Sequence, residues 1–147
     1  MSLPERDNLA ICFAHPAYQM AATFAQRQTG IRHFQVWNEA DLLARLPEAD
    51  LLVVSGLWRN DLLPQAPKLK FIQSISAGIN QYDQAALRAT GVRLASAAGV
   101  NSNAVAEHAI ALMLALTRHI HWGRDRQQQG EWRGLISDLS QREDELA

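Results

Sequence analysis

Cysteine is nearly absent from this 147-residue chain: Cys12 stands alone. A single thiol excludes a disulfide framework and a cysteine metal cluster, and it fits a reducing, cytoplasmic setting. No metal site is expected. Charge of either sign is not in excess, with 14 Lys and Arg against 15 Asp and Glu. A formal net charge of -1 supplies no basic field for nucleic acid or anionic lipid, so neither is expected as a partner. Long apolar runs are missing too. The longest block, Ala109 to Leu116, is far short of a membrane span, and the polar opening MSLPERDN has no apolar core of a signal peptide. Glycine is present eight times but never as Gly-x-Gly, and no glycine precedes a lysine. The dinucleotide fingerprint and the P-loop are therefore both excluded from these residues.

What remains is the profile of a globular protein, 48% hydrophobic and 20% charged, long enough for one well-formed core. Short apolar runs alternate with helical patterns. Strands are expected at Leu9 to Ala14, His33 to Trp37, Leu51 to Gly56, Leu69 to Ser76 and Val92 to Ala97. The continuous apolar run LLVVSG fits a parallel sheet covered on both faces. Helical spacing covers 17 to 29, with Gly30 as the stop; a short helix covers Glu39 to Leu46. Asp83 is placed to cap a helix over 84 to 90 that Gly91 ends. Five strands with intervening helices predict an α/β fold with a doubly wound parallel sheet and right-handed crossovers.

The last third is different. Asn101, Ser102 and Asn103 offer N-caps, and from Ala104 to Leu116 only Glu107 and His108 interrupt an apolar helix. A helix apolar nearly all round is expected to be buried on more than one side, one face against the sheet domain and the other against a second domain or subunit. Residues 123 to 133 are polar around Trp122 and Trp132, and the tail from 137 is charged.

Candidate chemistry centres on SISAGINQYD, residues 74 to 83. Ligands of open parallel sheets lie beyond the carboxyl ends of the strands, and this stretch leaves the fourth strand there. Two readings stand. The small side chains let a carboxylate approach the amides of Ala77 and Gly78 as an anion nest; or Gly78 only supplies a positive φ for a tight turn. Asn101 is either a donor to a substrate oxygen or an ordinary helix cap. Among the histidines, His119 and His121 are two apart on a helix and so face apart, and His108 reads as an inward residue satisfied by Glu107. His15 and Trp58-Arg59 sit at strand ends beside any cleft. No Ser/His/Asp or Cys/His constellation assembles.

Three segments together, LKFIQSISAGINQYD, GVRLASAAGVNSNAVAEHAIALMLALTR and Gly130-Glu131-Trp132, resemble the NAD-dependent D-isomer-specific 2-hydroxyacid dehydrogenases. The likeness spans roughly residues 45 to 147; the run Asn101 to His108 is also similar to the formate dehydrogenases. The resemblance implies a flavodoxin-like five-stranded substrate-binding domain over residues 1 to 100. Residues 101 to 147 would then be interdomain and dimerisation helices leading to a Rossmann domain that binds NAD or NADP. It implies that Ala77 and Gly78 hold the carboxylate of a 2-keto or 2-hydroxy acid, of the glyoxylate, hydroxypyruvate or phosphoglycerate type. It also implies that Asn101 contacts substrate and Val105 the nicotinamide. The family's catalytic Arg, Glu and His have no counterpart in this sequence, so no catalytic residue is assigned and the isolated chain is expected to be inactive. The partner state it implies is a homodimer. The alternative is a non-enzymatic dimerisation or regulatory module, since relatives of these enzymes serve as corepressors.

Overall fold

The structure, a computed structural model, describes residues 3–132, 134 and 136–144. The chain divides into two compact units, Met1–Gly99 and Val100–Ala147. The first is an α/β unit whose strands β1 (Ala10–Ala14), β2 (Arg32–Val36), β3 (Leu51–Val54), β4 (Phe71–Ser74) and β5 (Arg93–Ala95) form one sheet. All four pairings are parallel, and the order is β2-β1-β3-β4-β5. Five strands fall where the apolar runs predict them: β1, β3, β4 and β5 are trimmed by one or two residues at one or both ends, and β2 begins and ends one residue earlier.

Register explains which side chains meet. Cys12, Leu52 and Ile72 align across the sheet, as do Ala14, Val54 and Ser74. This face packs on helices α2 (Glu39–Arg45) and α3 (Gln84–Thr90) through Leu42 and Leu87, with Leu46, Leu62 and Leu69 closing the core. The opposite face carries Phe13, which meets Phe24 of helix α1 (Met20–Ala25) at 5.5 Å between ring centres. That second cover is partial. Leu51 and Val53, and Phe71 and Gln73 beside them, are only half-buried. The first unit by itself therefore does not enclose the fully apolar β3 on both sides as its sequence predicts.

Helix ends follow local chemistry. Asp83 Oδ1 accepts from the amides of Ala85 and Ala86, both at 3.0 Å, and Gly91 adopts a left-handed φ of 76°, so α3 starts and stops as expected. Helix α1 is shorter than its pattern. The amides of Ala17 and Tyr18 donate to His15 Nδ1, at 3.0 and 2.9 Å, and are spent before the helix begins. Its far end closes in tight turns through Gln28, at φ 49°, so Gly30 is not the terminating glycine.

The second unit holds helix α4 (Ser102–Thr117) and helix α5 (Ile120–Gln128). α5 lies in the stretch read only as polar. No residue of α4 is buried: Val105, Ile110, Leu112, Met113, Leu114 and Leu116 keep between 42% and 64% of their surface exposed. The second unit by itself does not cover α4 on two sides, and His108 is exposed. His119, in a left-handed conformation, separates the two helices and stacks on Trp122 at 4.2 Å. His119 and His121 do not face fully apart, their rings meeting edge-on at 6.3 Å. The segment after α5 is tied back: Asp144 N donates to the Thr117 carbonyl at 3.0 Å. The tail residues 145–147, and Arg133 of the polar stretch, lie outside the described residues. Among the described residues no helix is long and apolar enough to cross a membrane, and no cluster of three metal-ligating side chains occurs.

Candidate functional site

The carboxyl ends of β1, β3, β4 and β5 lie side by side on one edge of the sheet. In the order β2-β1-β3-β4-β5 the chain reverses direction between β1 and β3, where such sheets leave a crevice. His15 follows β1 there. Two amides donate to its Nδ1, so its Nε2 carries the proton, and its ring stacks on Tyr18 at 4.1 Å. Ser55 follows β3, Ser76 follows β4, and Ala97 follows β5.

Ser76 is held from three directions. Its Oγ meets Ser55 Oγ at 2.6 Å. Its amide donates to the Oγ of Ser74, a fully buried residue, at 3.2 Å. Its carbonyl accepts from Ala97 N at 3.1 Å and from Ser74 Oγ at 3.4 Å. The next two residues are the reverse. Ala77 and Gly78 are exposed, and among the described residues neither amide donates to a protein acceptor. Gly78 does not have a positive φ. The reading that it is glycine to permit a left-handed turn is therefore overturned. A Cβ there would lie 3.1 Å from Asn80 Oδ1, so the position is crowded by one exposed side chain and otherwise open.

The loop is fastened again at its far end. Asn60 Oδ1 accepts from Trp58 Nε1 at 3.1 Å and from Asp83 N at 2.9 Å, while its Nδ2 donates to the Gln81 carbonyl at 3.2 Å. Tyr82 is buried against Trp58, with ring centres 5.8 Å apart, and its hydroxyl donates to the Val54 carbonyl at 3.4 Å. Burial raises the Tyr82 pKa above the ordinary phenol value, so the hydroxyl stays a donor. Residues 77–81 thus bridge two anchors, both made by the segment that follows β3.

The remaining sequence candidates divide clearly. Trp58 is a core residue rather than a rim residue. Arg59 is engaged by Asp61, at 3.1 and 3.2 Å, and by Glu39. The hydrogen bond from Arg59 holds Asp61 below its ordinary carboxyl pKa, and both groups are solvated. Asn80 is exposed in the loop and Asp83 is the cap of α3. Asn101 precedes α4 without a side-chain capping bond, so its amide is not spent on the helix as an ordinary cap would be. Val105 is exposed on the first turns of α4. Within the second unit a cavity of about 500 Å³ is lined by Arg118, Trp122, Arg126, Trp132 and Ile136 among others. Sequence reasoning missed Ser55 and Asn60, and took Ser76 only as part of the small-residue turn. Two serines 21 positions apart carry no motif, and only the β3–β4 register brings them together.

An all-parallel open sheet in this order defines a flavodoxin-like doubly wound domain. Residues 11–140 match the family described as D-isomer specific 2-hydroxyacid dehydrogenase, catalytic domain. The chain belongs to that family. It is 38% identical over 95 residues to D-3-phosphoglycerate dehydrogenase of Mycobacterium leprae (strain TN), a match covering 63% of this chain and 18% of that protein. It is 35% identical over 102 residues to glyoxylate/hydroxypyruvate reductase B of Yersinia pestis (strain Pestoides F), covering 69% and 31%. Among solved structures, the NAD-dependent formate dehydrogenase from Staphylococcus aureus in complex with NAD shares the fold. Its TM-score is 0.66 at 22% identity, over 85% of this chain and 43% of that one. The chain thus spans less than a third of the length of these curated relatives.

Proposed function

We propose that these residues are the substrate-binding portion of an NAD(P)-dependent D-2-hydroxyacid dehydrogenase acting on a small 2-keto or 2-hydroxy acid. The observation that carries the proposal is the pair of exposed, unpartnered amides at Ala77 and Gly78, set directly after a fully engaged Ser76. Backbone N–H groups that find no protein acceptor are donors for an anion, and hydrogen bonds to a charged acceptor are the strong ones. Names of similar proteins support the class: one acts on phosphoglycerate, one on glyoxylate and hydroxypyruvate. In this reading Asn101 supplies a side-chain donor to substrate and Val105 an apolar contact for the nicotinamide. NAD or NADP, when bound, supplies or accepts the hydride. Its pyrophosphate has no cradle in these residues, because no glycines are spaced Gly-x-Gly. The proposal therefore assigns the cofactor to a Rossmann domain outside them, with residues 101 to 147 as the connecting and dimerising helices. It places the enzyme in the cytoplasm as a homodimer, and the 147-residue chain by itself is inactive.

The test is titration of the ¹⁵N-labelled chain with oxalate, a dicarboxylate analogue of the substrates. Saturable shifts at the Ala77 and Gly78 amides are expected, larger than those produced by chloride at equal ionic strength. Silence at both amides up to tens of millimolar would remove the support for the carboxylate role. Reduction of glyoxylate or hydroxypyruvate with NADPH by the purified chain would overturn the inactivity.

The exposed apolar face of α4 favours a second reading, a non-enzymatic dimerisation module. Solution mass together with the oxalate titration separates the two. A tight dimer that ignores oxalate supports the module; an oxalate response supports the dehydrogenase portion.

A further inference from the structure

The turn that presents the Ala77 and Gly78 amides has no regular secondary structure of its own, yet it must hold two N–H vectors in one direction to bind a carboxylate. Free amides in a loose loop would each lose orientational freedom on binding, and that loss is subtracted from affinity. The question is what holds them. Ser76 is the last residue before the free pair, and all its polar groups are used: amide, carbonyl and hydroxyl. One of these restraints is a backbone bond from Ala97, and a second is local to β4, where the Ser74 hydroxyl meets the Ser76 amide and carbonyl. The third is a side-chain bond across strands, Ser55 Oγ to Ser76 Oγ at 2.6 Å. It ties the residue after β3 to the residue after β4, and it is the one restraint on Ser76 that a point substitution can remove without touching β4.

We infer that Ser55 is a positioning residue: through its hydroxyl bond to Ser76 it fixes the direction of the Ala77 and Gly78 amides. This rests on the reading that those amides receive the substrate carboxylate. Ser55 itself need not touch substrate. Its contribution is to remove a freedom the turn would otherwise lose on binding. Both hydroxyls are half-buried, so water competes for this bond less than it would at a fully exposed turn. The pair also leaves one hydroxyl proton over, since two O–H groups share one bond. Ser55 therefore anchors Ser76 in either donor direction.

The experiment uses the whole 147-residue chain as wild type, Ser55→Ala and Ser55→Thr, ¹⁵N-labelled. Without ligand, backbone relaxation and amide shifts are measured at Ala77 and Gly78. Ser55→Ala is expected to lower the order of both amides while the amides of β1 and β3 keep their positions and the melting temperature moves little. Ser55→Thr, which keeps the hydroxyl, is expected to restore them. With oxalate, Ser55→Ala is expected to bind about three- to tenfold more weakly, the size of one net hydrogen bond, and Ser55→Thr to recover most of that. Unchanged order at Ala77 and Gly78 in Ser55→Ala would overturn the inference, as would equal loss in the Ala and Thr variants. The ligand-free arm decides the positioning role even if the wild-type chain ignores oxalate. That latter result would count against the carboxylate reading alone. A Ser55→Ala chain whose β1 and β3 amides also shift would show Ser55 to be a general structural residue and would overturn the inference too.

Discussion

Replacing Gly78 by alanine separates a glycine that the backbone needs from a glycine that a ligand needs. Because Gly78 does not have a positive φ, alanine meets no left-handed penalty. The new methyl would lie 3.1 Å from Asn80 Oδ1 and near no other atom outside its chain neighbours. Asn80 is exposed and free to turn away, so the relief costs a few tenths of a kcal/mol, about the size of a small rotamer strain. Against this, Gly→Ala at a compatible site stabilises by about 0.4–1 kcal/mol through the unfolded chain. The sum is a gain of about 0.5 kcal/mol, which corresponds to roughly +2 to +4 °C in Tm for a unit of this size. Binding should move the other way. A methyl beside the Gly78 amide crowds the approach of a carboxylate, and loss of one charge-assisted hydrogen bond weakens oxalate at least about tenfold. Thermal melts by circular dichroism and the amide titration read the two effects on the same sample. A Gly78→Ala chain that melts several degrees lower, or binds oxalate as wild type, would refute the reasoning.

Three further outcomes follow from other parts of the molecule. Asp83→Ala removes the acceptor for two amides of α3 and should cost about 1 kcal/mol in urea unfolding, with Asp83→Asn recovering most of it; equal loss in both variants would point to charge rather than capping. Burial pushes the Cys12 thiol up to about 12. The folded state therefore holds its proton where the unfolded thiol has lost it. Stability from this group is complete below the unfolded thiol pKa of about 8.5 and falls as pH rises from there toward about 12. Native Cys12 should also ignore a thiol reagent at pH 8 and react once guanidinium unfolds the chain; fast native labelling would contradict its burial. Ile110 and Leu114 share one stripe of α4. If α4 is the dimer face, Ile110→Glu with Leu114→Glu should convert a dimer to a monomer in sedimentation while leaving the circular dichroism of the sheet unit intact, and a persistent dimer would place the interface elsewhere.

The sheet was legible because burial writes itself into sequence as apolar runs, and the α3 boundaries because Asp83 and Gly91 act through their own nearest neighbours. Errors arise where a distant or competing partner decides. The pattern over 17–29 is helical, but His15 takes the first amides and delays α1. LLVVSG is apolar throughout, yet apolarity states a need for cover and does not say what supplies it. The same holds for α4, whose composition demands burial that its own unit does not provide. At the candidate site, small residues and strand-end position pointed to Ala77 and Gly78. The choice between a strained turn and an open one needed φ itself. Ser55 and Asn60, and the bond that Ser76 makes to Ser55, were invisible because each acts between segments that only the fold aligns.

Anchoring the loop from β3 has a consequence for hydrogen exchange. β3 is the middle strand, and the bonds that engage Ser76 are spread over β3, β4 and the end of β5. The Ser76 and Ala97 amides, each engaged by a protein acceptor, are expected to exchange slowly, whereas Ala77 and Gly78, one and two residues after Ser76, are exposed and without a protein acceptor. Protection should drop sharply across a single peptide unit. The binding surface is then a boundary rather than a region, drawn between the last engaged amide and the first free one.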